Sequence, residues 1–516
     1  MARFSDKQFI YEINTWVWLT ELSAHYKQTI TLENVPEDAL NALIKPGLDY
    51  IWLMGVWQRS EYGRQIGLKW KHEYTSALPD LTDDDVIGSA YAIADYRVDD
   101  RIGGRHGLAV LRERLRQRGV RLILDFVPNH VAFDHPWVTQ HPEFIVQGTQ
   151  HDLERAPTDW FTSTDVGGTT RVLAHGRDPY FPGWSDTAQL NIFHPAAREA
   201  CIYTVLDIAA QCDGVRCDMA MLLMNNIFAS TWRGKVSHPL QKDYWIEMIG
   251  AVRHQHPDFL FMAEVYWEKE YDLLLQGFDF CYDKVFYDRI INLDVTQLRQ
   301  HLVAELAYQQ RLVRFLENHD EPRAYDRLGT LRSMPAATLL CTLPGATLLH
   351  QGQFEGRRAK LPVQIKRSPS ERRHHKLVEH YDLLLKETTH PVYQQGDFFL
   401  FHVNPAAQGS TSHNNLLAYG WWNENTKDYR LIVINLTEQR SRGRIDLSPW
   451  IWLRGRRWAL INRLDGMEFA RQGGAANKDG LFVDLDPYES FVFEFRLEDA
   501  PAVSPTRSTG TYSEVF

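Results

Sequence analysis

Eight short apolar runs, set along the first two thirds of a 516-residue chain, constrain this sequence more than any other feature. They occupy residues 8–17, 49–56, 119–127, 213–218, 259–265, 278–283, 312–318 and 346–352. Most are near-continuous in apolar side chains, as in parallel strands buried on both faces. Between them lie stretches with a 3.6-residue period. In residues 104–118, Leu108, Leu111 and Leu115 share one side and arginines take the other. A second helix opens at Pro195, a residue tolerated in the first turn, and is expected to bury Ile202, Val205, Leu206 and Ala209. Eight strand-then-helix units predict a closed (β/α)8 barrel.

Two segments depart from this rhythm. Residues 131–186 follow the third strand with little periodicity, and a loop that long inside a barrel is usually functional. From about Gly396 the period changes to two, as in "RLIVINL", "LFVDL" and "SFVFEF". That pattern predicts a separate antiparallel β-sandwich. The expected organisation is an α/β barrel over 1–130 and 187–390, an insert over 131–186 and a β domain over 391–498. A polar, Pro/Ser/Thr-rich tail covers 499–516.

Composition excludes several functions. Net charge is −10 with no block of like charge, so no nucleic-acid partner is expected. No run of 18 uncharged apolar residues predicts a membrane span. The opening "MARFSDKQFIYEINT" lacks the apolar core of a signal peptide. Five cysteines, without metal-ligand spacing, predict reduced thiols in a cytoplasm.

Charged groups gather where the strands end. Asp125, Asn129 and His130 follow the third run; Arg216 and Asp218 end the fourth; Glu264 ends the fifth; His319 and Asp320 follow the seventh. Catalytic groups of such barrels sit at the carboxyl ends of strands. A lone Asp or His there is more often a cap or an ion-pair partner. Acids and imidazoles at four strand ends are harder to assign that way. Residues two apart on a strand share a face, so Arg216 and Asp218 are expected in the barrel mouth and Cys217 toward the helices. Two carboxyl groups flanking a bond are the requirement of glycoside hydrolysis. Arg216 would keep Asp218 ionised as nucleophile. Glu264, in apolar company near Trp267, would hold its proton as the acid. Asp320 would bind ring hydroxyls.

The segments "LDFVPNH", "DGVRCD", "MAEV" and "FLENHDEPR" resemble, in order, the four signature regions of the α-amylase family, glycoside hydrolase family 13. "TAQLN" resembles the fifth region, at the end of the family's domain B. The likeness runs from about Phe9 to Arg358. It implies Asp218 as nucleophile, Glu264 as general acid/base and Asp320 as transition-state stabiliser. Arg216, His130 and His319 would hold the reacting sugar, with Tyr91 stacked under it. It further implies a retaining reaction on small α-glucosides or α-glucans. Asn129 aligns with a calcium ligand of some members, whose partner ligands would come from the insert; this leaves calcium open, and no cofactor is expected to be required.

Two departures narrow the reading. The "KH" pair that family α-amylases carry after the nucleophile is here Met221 and Leu222, which predicts an apolar leaving-group side. The Asp that α-glucosidases often carry after the tyrosine is here Ala92. Neither the endo-α-amylase nor the α-glucosidase pattern is complete, and a conventional endo-α-amylase is not expected. An α-glucosyl transferase or phosphorylase would use the same intermediate. A non-catalytic scaffold is disfavoured because all three carboxylates are present.

Overall fold

A computed structural model describes residues 7–453, 456–472 and 480–497. The expected tail at 499–516 lies outside the described residues. All eight apolar runs form strands of one closed parallel barrel. In chain order they are β1 (Lys7–Asn14), β2 (Tyr50–Met54), β3 (Arg121–Phe126) and β4 (Gly214–Cys217), then β5 (Leu260–Ala263), β6 (Phe280–Tyr282), β7 (Leu312–Arg314) and β8 (Gly345–His350). β8 pairs with β1 and closes the ring.

The strands are shorter than the apolar runs, chiefly at their carboxyl ends. The first run ends early because Asn14 accepts the Val17 N–H and starts a helix, Thr15–Tyr26. This places Asp218 and Glu264 one residue beyond β4 and β5, where the ladder stops and side chains turn into the mouth.

The helix Gly104–Arg116 buries Leu108, Leu111 and Leu115 as expected. The helix Pro195–Gln211 is rotated from expectation. It buries Cys201, Val205, Ile208 and Ala209, while Ile202 and Leu206 are only half-buried. Periodicity left that choice open, because the helix is apolar around most of its girth.

After β3 the chain leaves the barrel. His130–Ala132 pairs antiparallel with Thr187–Gln189, and that ribbon forms the base of the excursion. Within it, Trp160–Thr164 and Thr170–Ala174 form a hairpin, with short helices such as Gln150–Arg155. The carboxyl-terminal region forms antiparallel sheets of six and three strands. Phe401, Leu431, Trp450 and Phe493 are among the residues of the core there. It is fastened to the barrel by an apolar face, with Leu417, Trp421, Ile432 and Val492 in the barrel's own core, and by polar contacts. Trp421 Nε1 donates to the Thr342 carbonyl at 2.7 Å, and buried Glu387 pairs with Arg430 (2.6 Å) and Arg463 (3.0 Å). Among the described residues no helix is long and apolar enough to cross a membrane.

Candidate active site

Arg216 organises the barrel mouth. It is wholly buried at the end of β4. Its Nη1 donates to Asp218 Oδ1 at 2.6 Å, and its Nη2 lies 2.7 Å from Glu264 Oε2. Asp320 Oδ2 stands 3.9 Å from Nη2 and Asp125 Oδ1 3.6 Å from Nη1. One guanidinium thus sits among four carboxyl groups from four strand ends. Burial disfavours its charge, but its acidic neighbours together outweigh that and keep it cationic.

Too few cations serve these acids for all to ionise freely. Burial raises Glu264 to about 7, against the pull of Arg216. Asp125 is raised to about 6 for the same reason. Burial also lifts Asp218, and Arg216 opposes that burial without cancelling it. The acids titrate as a group. A proton on Glu264 removes a negative neighbour, and Asp218 can then remain ionised against Arg216. Asp320 behaves oppositely. Burial works against its charge, yet His319 holds its carboxyl well below the ordinary range.

Glu264 is fixed at both oxygens. Tyr266 Oη donates to Oε1 at 2.9 Å and the Met219 N–H donates to Oε2 at 2.7 Å. The second bond depends on a left-handed backbone at Met219 (φ 43°), costly for a residue with a side chain. His319 stacks on Tyr91, with ring centroids 5.2 Å apart, and its Nε2 lies 2.7 Å from Tyr91 Oη and 2.9 Å from Asp320 Oδ2. Its Nδ1 meets Glu12 Oε1 at 2.5 Å. His130 Nε2 lies 3.2 Å from the Tyr91 carbonyl, and burial lowers this imidazole to about 4, which keeps it neutral.

Tyr91, His130, Asp218, Glu264 and Asp320 line one cleft of about 340 Å³. Arg216 and His319 lie immediately beneath, through the bonds just given. All seven residues singled out from the sequence therefore meet in one place. Asp125 does not line the cleft; it backs Arg216 and accepts from Trp52 Nε1 at 3.2 Å. Asn129 and Gln189 satisfy each other, with Gln189 Nε2 donating to Asn129 Oδ1 at 3.0 Å and Asn129 Nδ2 to Gln189 Oε1 at 3.2 Å. That closed amide pair does not fit a calcium site at Asn129. Among the described residues no group of three or more His, Cys, Asp or Glu is placed to hold a metal.

Met221 and Leu222 overturn an expectation. They are 0 % and 3 % exposed, in a short 3₁₀ turn (Ala220–Leu223) packed into the barrel core. The residue that faces the cleft is Met219.

Sequence reasoning also missed Glu12, Tyr266, Trp184, Asp186 and Gln364. Glu12 had a signal, being the one charge inside the run "QFIYEINTWV". The others lie on irregular loops, where spacing carries no information.

A family model described as the catalytic domain of α-amylase matches residues 39–381. The chain is 24% identical over 367 residues to the α-amylase MalA of Haloarcula japonica, covering 69% of this chain and 45% of that one. It is 23% identical over 371 residues to an α-1,4-glucan:maltose-1-phosphate maltosyltransferase of Cereibacter sphaeroides, covering 68% and 49%. The chain spans about half the length of the curated relatives it matches. Its fold is that of a maltogenic α-amylase, AmyB, from Thermotoga neapolitana, with a TM-score of 0.67 at 19% identity over 95% of this chain and 99% of that one. With the matched model spanning most of the barrel and the signature carboxylates gathered in its mouth, the chain belongs to the α-amylase family, glycoside hydrolase family 13.

Proposed function

We propose that the protein is a retaining α-glycosidase acting on small α-glucosides or oligosaccharides. One observation carries the reading: a single guanidinium holds Asp218 and Glu264 side by side, while burial leaves Glu264 with a proton near neutrality. Arg216 occupies Asp218 Oδ1, so Oδ2 is the oxygen left to attack the anomeric carbon. As that bond forms, the glycosidic C–O bond breaks and the Glu264 proton passes to the leaving oxygen. Glu264, now a carboxylate, takes a proton from water, and the hydroxide formed displaces Asp218. Two inversions leave the α-configuration. Asp320 and the His319 imidazolium grip ring hydroxyls, and Tyr91 stacks against the sugar face. The nucleophile and the acid/base are side chains of this chain, so the reading requires no cofactor.

Transfer to a second sugar is the alternative that a specific feature favours. Tyr180 and Trp267, 71% and 37% exposed, meet edge to face with ring centroids 5.2 Å apart. They belong to the two segments that give Trp184 and Tyr266 to the cleft. Exposed rings beside the acid suit a stacked acceptor sugar. A cytoplasmic location is part of the proposal, supported by five cysteines that are all buried and unpaired.

The test is NMR of the first-formed product from an aryl α-glucoside. The α-anomer is expected, and the Asp218→Ala variant should lose about 10⁴-fold in kcat. A β-product, or equal rates for the variant and the unaltered protein, would overturn the assignment.

A further inference from the structure

The cleft is asymmetric, and the asymmetry comes from residues 351–374, an irregular segment between β8 and the helix His375–Thr388. One part of it crosses from the catalytic carboxylates to the segment that carries Tyr91. At the near end, Lys360 Nζ donates to the Asp320 carbonyl. At the far end the strap is sewn to residues 80–88. Ile365 bridges Val86, the Ile87 N–H donates to the Gln364 carbonyl at 2.8 Å, and the Lys366 N–H to the Asp85 carbonyl at 2.9 Å. Arg367 pairs with Asp85 (2.9 Å) and Asp80 (2.8 Å). Ile365 is fully buried against Tyr74, Leu78 and Val86.

Arg59 clamps the two segments together. It is buried, and its Nη1 donates at 2.6 Å both to the Gly88 carbonyl and to the Val363 carbonyl of the strap. Gly88 itself packs closely on the start of the helix Glu61–Lys69. Its φ is +87°, and a Cβ there would sit 3.1 Å from the Ser60 carbonyl oxygen. Backbone bonds, ion pairs, an apolar plug and a buried arginine together make this a fixed wall. The strap presents Gln364 to the cleft beside Ser89, Tyr91 and Ala92.

Under the proposed chemistry Glu264 marks the leaving-group side, with Tyr266, Met219 and the exposed Trp267. The wall of Ser89, Ala92 and Gln364 bears neither the acid nor its partners and adjoins Tyr91, the ring under the reacting sugar; on that reading it stands at the donor end. The cleft volume of about 340 Å³ is near the lower limit for ligand pockets, roughly 300–1,000 Å³. We infer that the strap closes the donor end, so that the enzyme accepts only a terminal, non-reducing sugar and does not cleave bonds inside a glucan chain. The substrate class is then α-linked disaccharides, aryl α-glucosides and the free non-reducing ends of short oligosaccharides. This inference rests on the glycosidase reading.

The test compares 4-nitrophenyl α-glucoside with a 4-nitrophenyl maltoheptaoside whose terminal 4- and 6-hydroxyls carry an ethylidene block. Nitrophenol release is followed for the glucoside, and chromatography follows internal cleavage of the blocked chain. The glucoside is expected to turn over and the blocked chain to react at least about 100-fold more slowly. Comparable turnover of both overturns the closed donor end and leaves the glycosidase reading intact. No turnover of either overturns the reading, and the inference with it.

Discussion

Glu12 and His319 meet at 2.5 Å in the floor of the barrel mouth, a carboxylate from the first strand holding an imidazole that follows the seventh. Burial opposes a charge on His319, but Asp320 and Glu12 outweigh it and raise this histidine well above its ordinary value. Arg216 and Asp125 face the same cluster from β4 and β3, and Trp52 stands edge-on from β2. The geometry makes His319 a standing cation with one N–H on Glu12 and the other on the Tyr91–Asp320 side. Glu12→Gln removes one of its two anions. A charged hydrogen bond is worth about 1.5–3 kcal/mol, so kcat/KM is expected to fall about 10- to 100-fold at pH 8. The deficit should shrink toward pH 5, where His319 recovers its proton. A pH-independent loss would show that Glu12 merely supports the fold.

The burial of Met221 relocates the specificity question. Its side chain is 0% exposed and belongs to the barrel core. Met221→Lys would place an ammonium in an apolar site, which proteins avoid by unfolding or by giving up the charge. The expected outcome is a loss of stability by several kcal/mol, read as a lower denaturant midpoint, rather than a new product pattern. A variant that keeps its midpoint and alters its products would restore the sequence-based expectation.

Strand positions and acid positions were both legible, and for one reason. A parallel barrel strand is buried on both faces, so it is written as an apolar run, and a charge at its end stands out. Asp218, Glu264 and His319 were found this way. Glu12 was passed over because it lies inside a run, where its only mark was being alone. Met221 and Leu222 were misread because alignment to relatives assigns a position and not a direction. The αL turn at Met219 redirects the chain after Asp218 and sends the next side chains inward. Gln364 was illegible because its place depends on contacts with residues 85–88, far away in sequence.

The aromatic rim makes a prediction about partitioning. Trp267 and Glu268 both have positive φ (62° and 56°), an uncommon backbone for residues with side chains, and this turn presents the Trp267 ring beside Tyr180. If the pair stacks on an acceptor sugar, Trp267→Ala should lower transfer to added maltose relative to hydrolysis about tenfold, from the ~1–1.5 kcal/mol of a lost stacking contact. Hydrolysis of an aryl α-glucoside should change less. Product chromatography at fixed donor and rising maltose gives the ratio, and an unchanged ratio would remove Trp267 from the acceptor site.

Glu264 ties activity to stability through its proton. Its pKa is about 7 in the folded protein and near 4.5 in an unfolded chain, so the folded state holds the proton more tightly. Below about pH 4.5 both states are protonated and the group makes no difference between them. As pH rises through 4.5 the unfolded chain ionises first, and the folded state loses relative stability until Glu264 itself ionises at about 7. The loss amounts to at most about 3 kcal/mol. Glu264→Gln has no proton to lose. It should be more stable than the unaltered protein at pH 8, similar to it at pH 4.5, and almost inactive. Denaturant midpoints at the two pH values measure the first two, and kcat on an aryl α-glucoside the third. The unaltered protein's kcat/KM should also fall above about pH 7, where the general acid is spent. A Glu264→Gln variant less stable at pH 8 than the unaltered protein would mean that the carboxylate is held by its bonds to Tyr266 and Met219 rather than strained by burial, and the acid would have to be sought elsewhere in the cleft.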